Sequence, residues 1–371
     1  MSTRLASCTL FLCGDVMTGR GIDQVLPHPG EPALYEPYVR SAIEYVRLAE
    51  EESGPIPKPV GFDYVWGDAL AELARRRPDA RIVNLETAVT TSGEPWPGKG
   101  VHYRMHPANV PCLAAAALDC CVLANNHVLD WGYAGLAQTL DTLHGAGLRV
   151  AGAGRDAAEA ATPATIDLPA GGRVLVFAYG MPSSGVPSEW AAAQNRPGIN
   201  FVDESSLAIA ERVAAGVRAR RRAGDIIVAS IHWGENWSYA IAASEREFAH
   251  RLIDGGVDTV HGHSSHHVKG IEVYRDRPIL YGCGDLITDY EGIHGHEAFR
   301  GDLALMYFPT FDTASGKLSR LELTPLRVRR LRLAHASEAD AGWLIGVLNR
   351  EGGALGTGVA KLPDGTLAVE W

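Results

Sequence analysis

The sequence predicts an α/β protein whose β-sheets are covered by helices. Apolar runs of strand length alternate along the chain with segments of helical periodicity, and within each run the apolar residues are continuous. Continuous apolar strands are typical of sheets that are buried on both faces, and their alternation with helices favours parallel strands. Apolar residues make up 46% of the 371-residue chain and charged residues 21%, which is enough apolar material for a full core.

The apolar runs place the strands, and the apolar residues that recur every three or four positions place the helices. The predicted strands are residues 9–13, 81–85, 120–124, 174–178, 225–231, 257–260, 278–281, 304–308 and 318–324. The predicted helices are residues 39–51, 68–77, 134–145, 204–222, 244–255 and 337–348. Basic residues at 218–222 suit the C-terminal end of a helix, where cations complement the helix dipole.

Two loop-rich segments, residues 27–37 and 53–61, are dense in proline and glycine and flank the first predicted helix. We therefore expect an insertion at about residues 27–61, between the first strand and the next helix. Residues 1–330 are predicted to form one domain. Residues 331–371 are predicted to be a C-terminal helical appendage packed on the same domain.

Composition excludes several classes of protein. The net charge of −10 argues against a nucleic-acid-binding protein, which usually carries a basic surplus. No apolar run approaches the ~18 residues that a membrane span needs, and the N-terminal apolar stretch favours a buried first strand over a signal peptide. The six cysteines form no C-x-x-C pair, which is typical of buried thiols in a reducing compartment. We therefore expect a cytoplasmic protein with no membrane span and no nucleic-acid partner; the oligomeric state is not predicted.

Polar side chains follow the apolar strands at the points where the strands end. Ligands of α/β proteins bind at the carboxyl ends of strands, so these side chains are expected to meet. They are Asp15, Glu86, Asn126, His127, His232, His263 and His266. Four histidines fall within residues 261–267, a density that a structural role alone explains poorly.

Oxygen and imidazole donors without thiolates favour a divalent metal such as Mn, Fe, Zn or Mg over a cysteine-based structural zinc site. Two such ions ~3.5–4 Å apart activate a water molecule and clamp an oxyanion. A two-ion site needs a bridging carboxylate, and Glu86 is the natural candidate. The predicted cofactor is one or two divalent ions, with Mn, Fe or Zn favoured.

Further polar residues are candidates for binding substrate. Arg104 lies in a polar segment with His102, and an arginine there is suited to a carboxylate or phosphate. Glu235 follows the His232 strand and Asp285 follows the strand at 278–281, close to the expected metals. A surface-loop role for the segment around Arg104 remains the alternative.

As an ordered set, these motifs resemble the CapA family of bacterial capsule and poly-γ-glutamate synthesis proteins over residues 8–310. The motifs are Gly14-Asp15, Asn84-Leu85-Glu86, Ala124-Asn125-Asn126-His127 with Asp130 and Gly132, His232-Trp233-Gly234-Glu235, Gly262-His263-Ser264-Ser265-His266-His267 and Ile279-Leu280-Tyr281-Gly282-Cys283-Gly284-Asp285. This family is in turn similar to the calcineurin-like metallophosphoesterases. The resemblance implies a four-layer αββα sandwich, in which two mixed β-sheets are flanked by helices and metals bind at the sheet edge.

The resemblance also implies roles for individual residues. Asn126 corresponds to a metal ligand, and His127 to an acid or transition-state donor, which makes His127 and Asp15 the candidate catalytic residues. Met17 stands where the metallophosphoesterases carry a histidine, and a thioether is a poor ligand for a hard divalent ion. Ser265 stands where their second glycine-motif histidine lies, and His266 is the expected substitute.

The predicted metal site is therefore asymmetric. The well-formed position uses Glu86, Asn126, His232 and His263, and a weaker position uses Asp15, Glu86 and His266. The leading hypothesis is a metal-dependent hydrolase with a small-molecule or peptide-like substrate. The fold implied by the resemblance favours a phosphoester, and the family association favours a γ-glutamyl or other peptide-like amide. The alternatives are a soluble poly-γ-glutamate or capsule-type biosynthetic protein that forms or processes amide bonds, and a binding protein whose metal site has decayed.

Overall fold

The structure, a computed structural model, describes residues 7–169, 171–203 and 205–371. Its main elements are two mixed β-sheets that face each other. Numbered along the described ranges, the strands are β1 (Ser7–Val16), β2 (Ala80–Leu85), β3 (Ala88–Val89), β4 (Arg104–Met105), β5 (Cys120–Val122), β6 (Arg149–Ala151), β7 (Ala153–Gly154), β8 (Ala164–Asp167), β9 (Arg173–Gly180), β10 (Gly198–Ile199), β11 (Ile226–His232), β12 (Thr259–His263), β13 (Ile271–Tyr274), β14 (Arg277–Leu280), β15 (Asp285–Ile287), β16 (Leu303–Asp312), β17 (Leu318–Val328), β18 (Leu333–His335), β19 (Gly358–Lys361) and β20 (Leu367–Glu370).

The helices lie between these strands along the chain. In the same described ranges they are α1 (Gly21–Val25), α2 (Ile43–Ser53), α3 (Ala69–Arg76), α4 (Pro111–Ala115), α5 (Gly132–Gly145), α6 (Ala157–Ala160), α7 (Leu207–Arg220), α8 (Ala243–Asp254) and α9 (Glu338–Gly353). None of the helices in the part of the chain that the structure describes is both long and apolar enough to cross a membrane.

The larger sheet has the strand order β19-β20-β17-β16-β1-β2-β5-β6, with β15 also paired to β1 and β18 to β17. Its half from β1 to β6 is parallel, whereas β16 and β17 run antiparallel. The smaller sheet has the order β13-β14-β12-β11-β9-β8, and its four central strands are parallel. Both sheets are therefore mixed, and each has parallel strands whose carboxyl ends lie at one edge.

The apolar side chains fall into layers. Leu10 and Ile82 of the larger sheet pack with Val176 and Val228 of the smaller one in a core between the sheets. Each fully buried side chain of this size contributes about 1.5–3 kcal/mol of transfer free energy, so this central core accounts for much of the stability of the fold.

Helices cover the two outer faces. Leu140 of α5 packs on the outer face of the larger sheet, and Val213 of α7 and Phe248 of α8 pack on the outer face of the smaller one. Leu136, Leu140 and Leu143 recur along one face of α5 because they are three and four residues apart. The four-layer αββα sandwich predicted from the sequence is confirmed.

Each predicted strand overlaps an observed strand, and each predicted helix overlaps an observed helix. The predicted start of the fourth helix, Glu204, lies outside the described residues. That helix ends at Arg220 rather than at residue 222, because Arg221 is extended and its guanidinium lies 3.0 Å from the carboxylate of Asp258. The six cysteines are buried and free, as predicted.

The C-terminal tail is not helical throughout. Besides α9, residues 331–371 contain β18, β19 and β20, which extend the larger sheet beside β17. Alternation of apolar residues over only three or four positions is too weak to separate these short strands from loops. The domain boundary at residue 330 stays a prediction.

Candidate metal centre

Strand ends of both sheets converge at one edge of the sandwich. Asp15 lies at the end of β1, opposite Asp285 of β15 and Asn84 of β2 in the strand register. His232 ends β11 and His263 ends β12, and the two residues are register partners on parallel neighbours. The convergence of polar strand ends expected from the sequence is therefore present in the fold.

Close backbone packing lets the two aspartates approach each other. A Cβ atom added to Gly14 would lie 1.6 Å from the carbonyl oxygen of Gly284, so only glycine fits there. Gly284 itself has φ of +74°, which glycine adopts without strain. The Asp15 amide donates to the Gly284 carbonyl at 2.9 Å. Gly14, which precedes Asp15, is thus required by the close contact, and Gly284, which precedes Asp285, is favoured by its positive φ.

Two groups of buried side chains bring potential ligand atoms within 4.8 Å of one another. One group is Asp15, His232 and His263, and the other is Asp15, His266 and Asp285. Asp15 belongs to both groups, whereas the sequence predicts Glu86 as the shared residue. Asp285, predicted to bind substrate, lies inside the second group because its Oδ1 is 2.9 Å from Nδ1 of His266.

Glu86 lies beside the first group. Its Oε1 is 3.8 Å from Nε2 of His232 and 3.7 Å from Nε2 of His127. Burial raises the pKa of Glu86 well above its usual range, and the nearby carboxylates Asp15 and Asp285 raise it further. Burial likewise raises the pKa values of Asp15 and Asp285. Three acidic side chains therefore share a buried site, in which their charged forms are disfavoured unless a cation is present.

Unpartnered acceptor atoms are concentrated in this cluster. Among the buried side-chain atoms of the described residues, Oε2 of Glu86, Oδ1 of Asn126, Nε2 of His232 and Oδ2 of Asp285 have no hydrogen-bond partner. Leaving a buried polar group unpaired is costly, about 1–3 kcal/mol for each. Three of these four atoms belong to residues predicted for the well-formed metal position.

A hydrogen-bonded relay fixes the tautomer of His232. Nε2 of His261 donates to the carbonyl of Cys13 at 2.6 Å, so its Nδ1 accepts from Oγ of Ser230 at 3.0 Å. The Ser230 oxygen then accepts from Nε2 of His263 at 2.9 Å, and Nδ1 of His263 accepts from Nδ1 of His232 at 2.8 Å.

This assignment requires all three imidazoles to be neutral. Burial lowers the pKa of His261 to about 4, and it lowers the pKa values of His232 and His263 well below the usual value. The relay therefore leaves a bare lone pair on Nε2 of His232, which is the form that ligates a metal. Both ring nitrogens of His263 are engaged in the relay.

Hydrogen bonds also orient the carboxylate of Asp15. Nδ2 of Asn84 donates to Oδ1 of Asp15 at 2.8 Å, and the Ser264 amide donates to Oδ2 at 3.2 Å. Ser264 has φ of 102°, a strained conformation for a residue with a side chain, and such strain is commonly stored at functional sites. Asn125 in turn donates to Oδ1 of Asn84 at 3.0 Å. The aspartate is thereby held in one orientation.

His127 lies at the mouth of the cluster. Its Nδ1 is 2.6 Å from Oδ2 of Asp130, and Lys99 forms an ion pair with the other oxygen of that carboxylate at 2.8 Å. Burial lowers the pKa of His127 to about 4, although Asp130 opposes the shift. Nζ of Lys99 lies 3.1 Å from the same Nδ1, but the contact with Asp130 is shorter, and Lys99 has the other carboxylate oxygen as its acceptor. We therefore assign Nδ1 as the donor to Asp130, which leaves a lone pair on Nε2, on the side that faces Glu86.

His266 differs from the other histidines of the cluster. Burial alone would lower its pKa, but the contact with Asp285 outweighs burial and raises the pKa. Its Nε2 lies 3.2 Å from Nδ2 of Asn236 and 3.4 Å from the hydroxyl of Tyr290. Met17 is fully buried, and its thioether sulfur is a poor ligand for a hard divalent ion.

The other predicted substrate-binding residues do not contact the cluster. The Arg104 guanidinium donates to the carbonyls of Ser92 and Glu31, which occupies it in holding loops together. His102 is buried, with Nε2 3.2 Å from the carbonyl of Trp96. Glu235 is exposed at the protein surface.

Sequence reasoning missed several residues that support the cluster. Lys99 and Tyr290 lie in loops with no periodic pattern, and Ser230 lies inside an apolar strand. Asn84, Asn125, Asp130 and Ser264 fell within motifs that the sequence singled out.

The chain is similar to several known proteins. Residues 9–290 match the family model described as Bacterial capsule synthesis protein PGA_cap. A protein of Mycobacterium tuberculosis named "Probable polyglutamine synthesis accessory protein" is 51% identical over 97% of this chain and 95% of its own length. The "PGA biosynthesis protein CapA" of Bacillus subtilis is 24% identical over 85% of this chain and 70% of its own length.

Among solved structures, a 5'-nucleotidase precursor from Thermus thermophilus aligns with a TM-score of 0.45 and 17% identity, over 92% of this chain and 58% of that one. The Thermus thermophilus sulfate thiohydrolase SoxB aligns with a TM-score of 0.42 and 13% identity, over 91% of this chain and 60% of that one. The family match spans most of the chain and includes every strand end of the cluster. The chain therefore belongs to the PGA_cap family of bacterial capsule synthesis proteins.

Proposed function

We propose that this protein is a metal-dependent hydrolase whose metal centre is the buried cluster around Asp15, Glu86 and His232. The observation that carries the proposal is the group of unpartnered buried acceptors on Glu86, Asn126 and His232. These lone pairs and the carboxylate oxygen converge without hydrogen-bond donors. No positively charged side chain of the described residues pairs with Glu86 at hydrogen-bond distance, so the group fits a divalent cation.

The residues present fit such an ion. Glu86, Asn126 and His232 would hold it in the well-formed position, and Asp15, His266 and Asp285 would provide a second, weaker one. A divalent ion held here supplies Lewis acidity and lowers the pKa of a water molecule, which hydrolysis at neutral pH needs.

His127 is the residue of this chain suited to move a proton. Asp130 orients its ring, and the free Nε2 faces the cluster, so the imidazole accepts a proton there and returns it to the leaving group. Lys99 offsets the charge of Asp130. Removing His127 should therefore abolish turnover while leaving the ligand atoms in place.

The names of the relatives favour an amide substrate of the γ-glutamyl type over a phosphoester. Relatives that carry polyglutamine or PGA synthesis in their names align with 97% and 85% of this chain. A peptide-like amide needs both water activation and protonation of a poor leaving group, which the metal ligands and His127 would together provide. Phosphoester hydrolysis is the alternative for the same site.

The first test is the metal content of the purified protein by mass spectrometry, for the wild type, for His232→Ala and for His144→Ala. His144 is an exposed histidine of α5 and serves as the matched control. We expect close to one or two equivalents of Mn, Fe or Zn in the wild type and the control, and loss of metal from His232→Ala. A wild type that is metal-free and takes up no metal would overturn the proposal in favour of a binding protein with a decayed site.

A loaded protein is then offered γ-glutamyl dipeptides, γ-glutamate oligomers and simple phosphoesters. Hydrolysis that is lost in His127→Ala with metal retained supports the proposed mechanism. The word "synthesis" in the relatives' names favours a second candidate, a biosynthetic protein that forms or processes amide bonds. Amide formation in the presence of an activated glutamyl donor, without hydrolysis of any substrate, would favour that candidate.

A further inference from the structure

We propose that residues 293–298 form a movable strap over a cavity beside the weaker metal position, and that the ring of His296 latches the strap by stacking on Trp237. We call these six residues the strap. The strap governs access to the cavity whichever reaction the centre performs, so this role goes beyond the proposed function.

The cavity under the strap encloses about 290 Å³, which is near the lower limit of small-molecule pockets. Its walls include Thr288, Tyr290, Val328 and Trp237, and four strap residues also line it: Ile293, His294, His296 and Glu297. Thr288 is 1% exposed, and its Oγ1 has no hydrogen-bond partner among the described residues. An unpaired buried hydroxyl is costly, and a ligand in the cavity would satisfy it.

The cavity adjoins the metal centre. The hydroxyl of Tyr290 lies 3.4 Å from Nε2 of His266, and the ring of Trp237 lies 5.4 Å from that imidazole, centroid to centroid. Tyr290 and Trp237 both belong to the cavity wall, so one side chain lies between the cavity and His266. A group held in the cavity is therefore next to the weaker metal position.

Both ends of the strap are anchored. Before the strap, the carboxylate of Glu291 accepts from the backbone amides of Arg330 at 2.9 Å and Leu331 at 3.0 Å. After the strap, the ring of Phe299 packs 4.6 Å from the ring of His267, centroid to centroid. The strap is thus a short segment with fixed ends.

Between these anchors the strap has few contacts with the rest of the fold. All six of its residues are exposed. Every hydrogen bond and ion pair that it forms with described residues stays within residues 290–300. Exposed segments with few tertiary contacts belong to the part of a fold that opens at least cost. The strap can therefore move without breaking the hydrogen bonds of either sheet.

One ring contact holds the middle of the strap down. The imidazole of His296 lies parallel to the indole of Trp237, with the centroids 4.2 Å apart and an angle of 2° between the rings. Within the described part of the chain, no other strap side chain forms a ring contact, hydrogen bond or ion pair with a residue outside 290–300. The stack is therefore the latch, and its release uncovers an indole face at the cavity wall.

Two glycines provide the backbone freedom that such a movement needs. Gly292 has φ of 81° and Gly295 has φ of 109°, and side chains disfavour both conformations. A Cβ atom added to Gly295 would meet nothing within 4 Å, so glycine is needed there for its backbone conformation and not for lack of space. The hinges of lids are a few loop residues of this kind, which absorb changes of φ and ψ.

The test measures how fast a thiol reagent labels Thr288→Cys. This change breaks no hydrogen bond of the described structure, because Oγ1 of Thr288 has none. The six native cysteines are buried and free, so their labelling reports unfolding of the whole chain. We expect the new thiol to react faster than the native ones, because the strap opens locally. Val328→Cys, on the cavity wall in β17, provides a second probe.

Variants of the latch are made in the Thr288→Cys protein. His296→Ala should raise the labelling rate about two- to tenfold, because a stacked ring pair is lost. His296→Phe restores a flat ring and should return the rate to that of the parent. His144→Ala changes an exposed histidine of α5 and should have no effect. The native cysteines should label equally slowly in all four proteins.

Labelling of both cavity probes at the slow rate of the native cysteines would overturn the strap, since the cavity would then open only by unfolding. An unchanged rate in His296→Ala, or no restoration by His296→Phe, would overturn the latch. Faster labelling of the native cysteines in His296→Ala would also overturn it, because the ring would then stabilise the whole fold. None of these rates depends on turnover, so the strap and the proposed hydrolase fail or stand separately.

Discussion

The Nδ1 atoms of His232 and His263 lie 2.8 Å apart on neighbouring parallel strands. That contact is the last step of a relay that starts at the carbonyl of Cys13 and passes through His261 and Ser230. A main-chain carbonyl can only accept, so the direction of every hydrogen bond in the relay follows from it. The consequence is a lone pair on Nε2 of His232 at the centre of the acidic cluster.

Ser230→Ala should weaken metal binding about 10–100-fold, because partners that orient metal-ligating histidines typically contribute that much. The measurement is a competition titration of the metal-free protein with a chromophoric chelator. Ser319→Ala removes a serine hydroxyl that donates to the carbonyl of Thr310 at 2.9 Å, far from the relay, and should leave metal affinity unchanged. Wild-type affinity in Ser230→Ala would show that the relay does not set the tautomer.

Asp130→Asn should lower kcat by about 10²–10⁴ while metal content stays at the wild-type level. The amide of asparagine still fits the space, but it no longer stabilises the imidazolium that forms when His127 takes a proton at Nε2. Asp141→Asn changes an exposed carboxylate of α5 and is the control. The readouts are steady-state turnover and metal analysis of the same samples. Unchanged kcat in Asp130→Asn would remove His127 from the proposed mechanism.

The apolar runs predicted the central strands well because these strands are long and continuous, whereas the four-layer arrangement was implied by the family resemblance. Strand β11, for example, is buried along its whole length, and its short apolar run rich in β-branched residues identifies it as a strand. Strands such as β3 and β4 have two residues each and carry no periodic signal. The strands of the tail were missed for the same reason, although they complete the larger sheet.

The sequence also placed the polar strand ends in one cluster but did not resolve their partners. Glu86 and His232 were found because each follows a strong strand. Which carboxylate lies between the two ligand groups depends on the register of β1 and β15, and β15 has only three residues. Arg104 was assigned to substrate because an arginine near a site suggests an anion. Its donors are instead taken by loop carbonyls, which only the three-dimensional structure reveals.

Asp225 should make the free energy of unfolding depend on pH at pH values below 3.8, the ordinary pKa of its carboxyl group. Its carboxylate accepts from Nη2 of Arg173 at 2.6 Å and from the Arg222 amide at 2.8 Å. Burial alone would raise the pKa of Asp225, but these hydrogen bonds outweigh burial and lower the pKa from 3.8 in the folded protein. The unfolded chain therefore binds a proton first as pH falls.

The stabilisation by Asp225 is present above the unfolded pKa and is lost as pH falls through the folded one. Denaturant unfolding of the wild type and Asp225→Asn should differ by a constant free energy at neutral pH. The difference should shrink as pH drops below 3.8. Asp167→Asn, which changes an exposed carboxylate of β8, should show no such change. A difference that grows in acid would reverse the sign and contradict the assignment.

Arg20 and Asp289 form a buried ion pair that joins the loop after β1 to the loop after β15. Nη2 of Arg20 lies 2.5 Å from Oδ1 of Asp289, and Nε lies 3.1 Å from Oδ2. Glu36 of the insertion accepts from the same guanidinium at 2.9 Å. The side chains of Arg20 and Asp289 are 3% and 0% exposed, so water cannot replace either partner.

Asp289→Asn should destabilise the fold by about 3–5 kcal/mol, because it leaves a buried guanidinium with only part of its charge compensated. The comparison is Asp276→Asn, which breaks a pair with Lys317 in which both side chains are about half exposed and which should cost under about 1 kcal/mol. Denaturant unfolding of the two variants beside the wild type gives both free energies. Since Tyr290 follows Asp289 and contacts His266, the first variant should also loosen metal binding at the weaker position. Equal stabilities of the two variants would mean that the buried pair is dispensable and that packing alone holds the loops together.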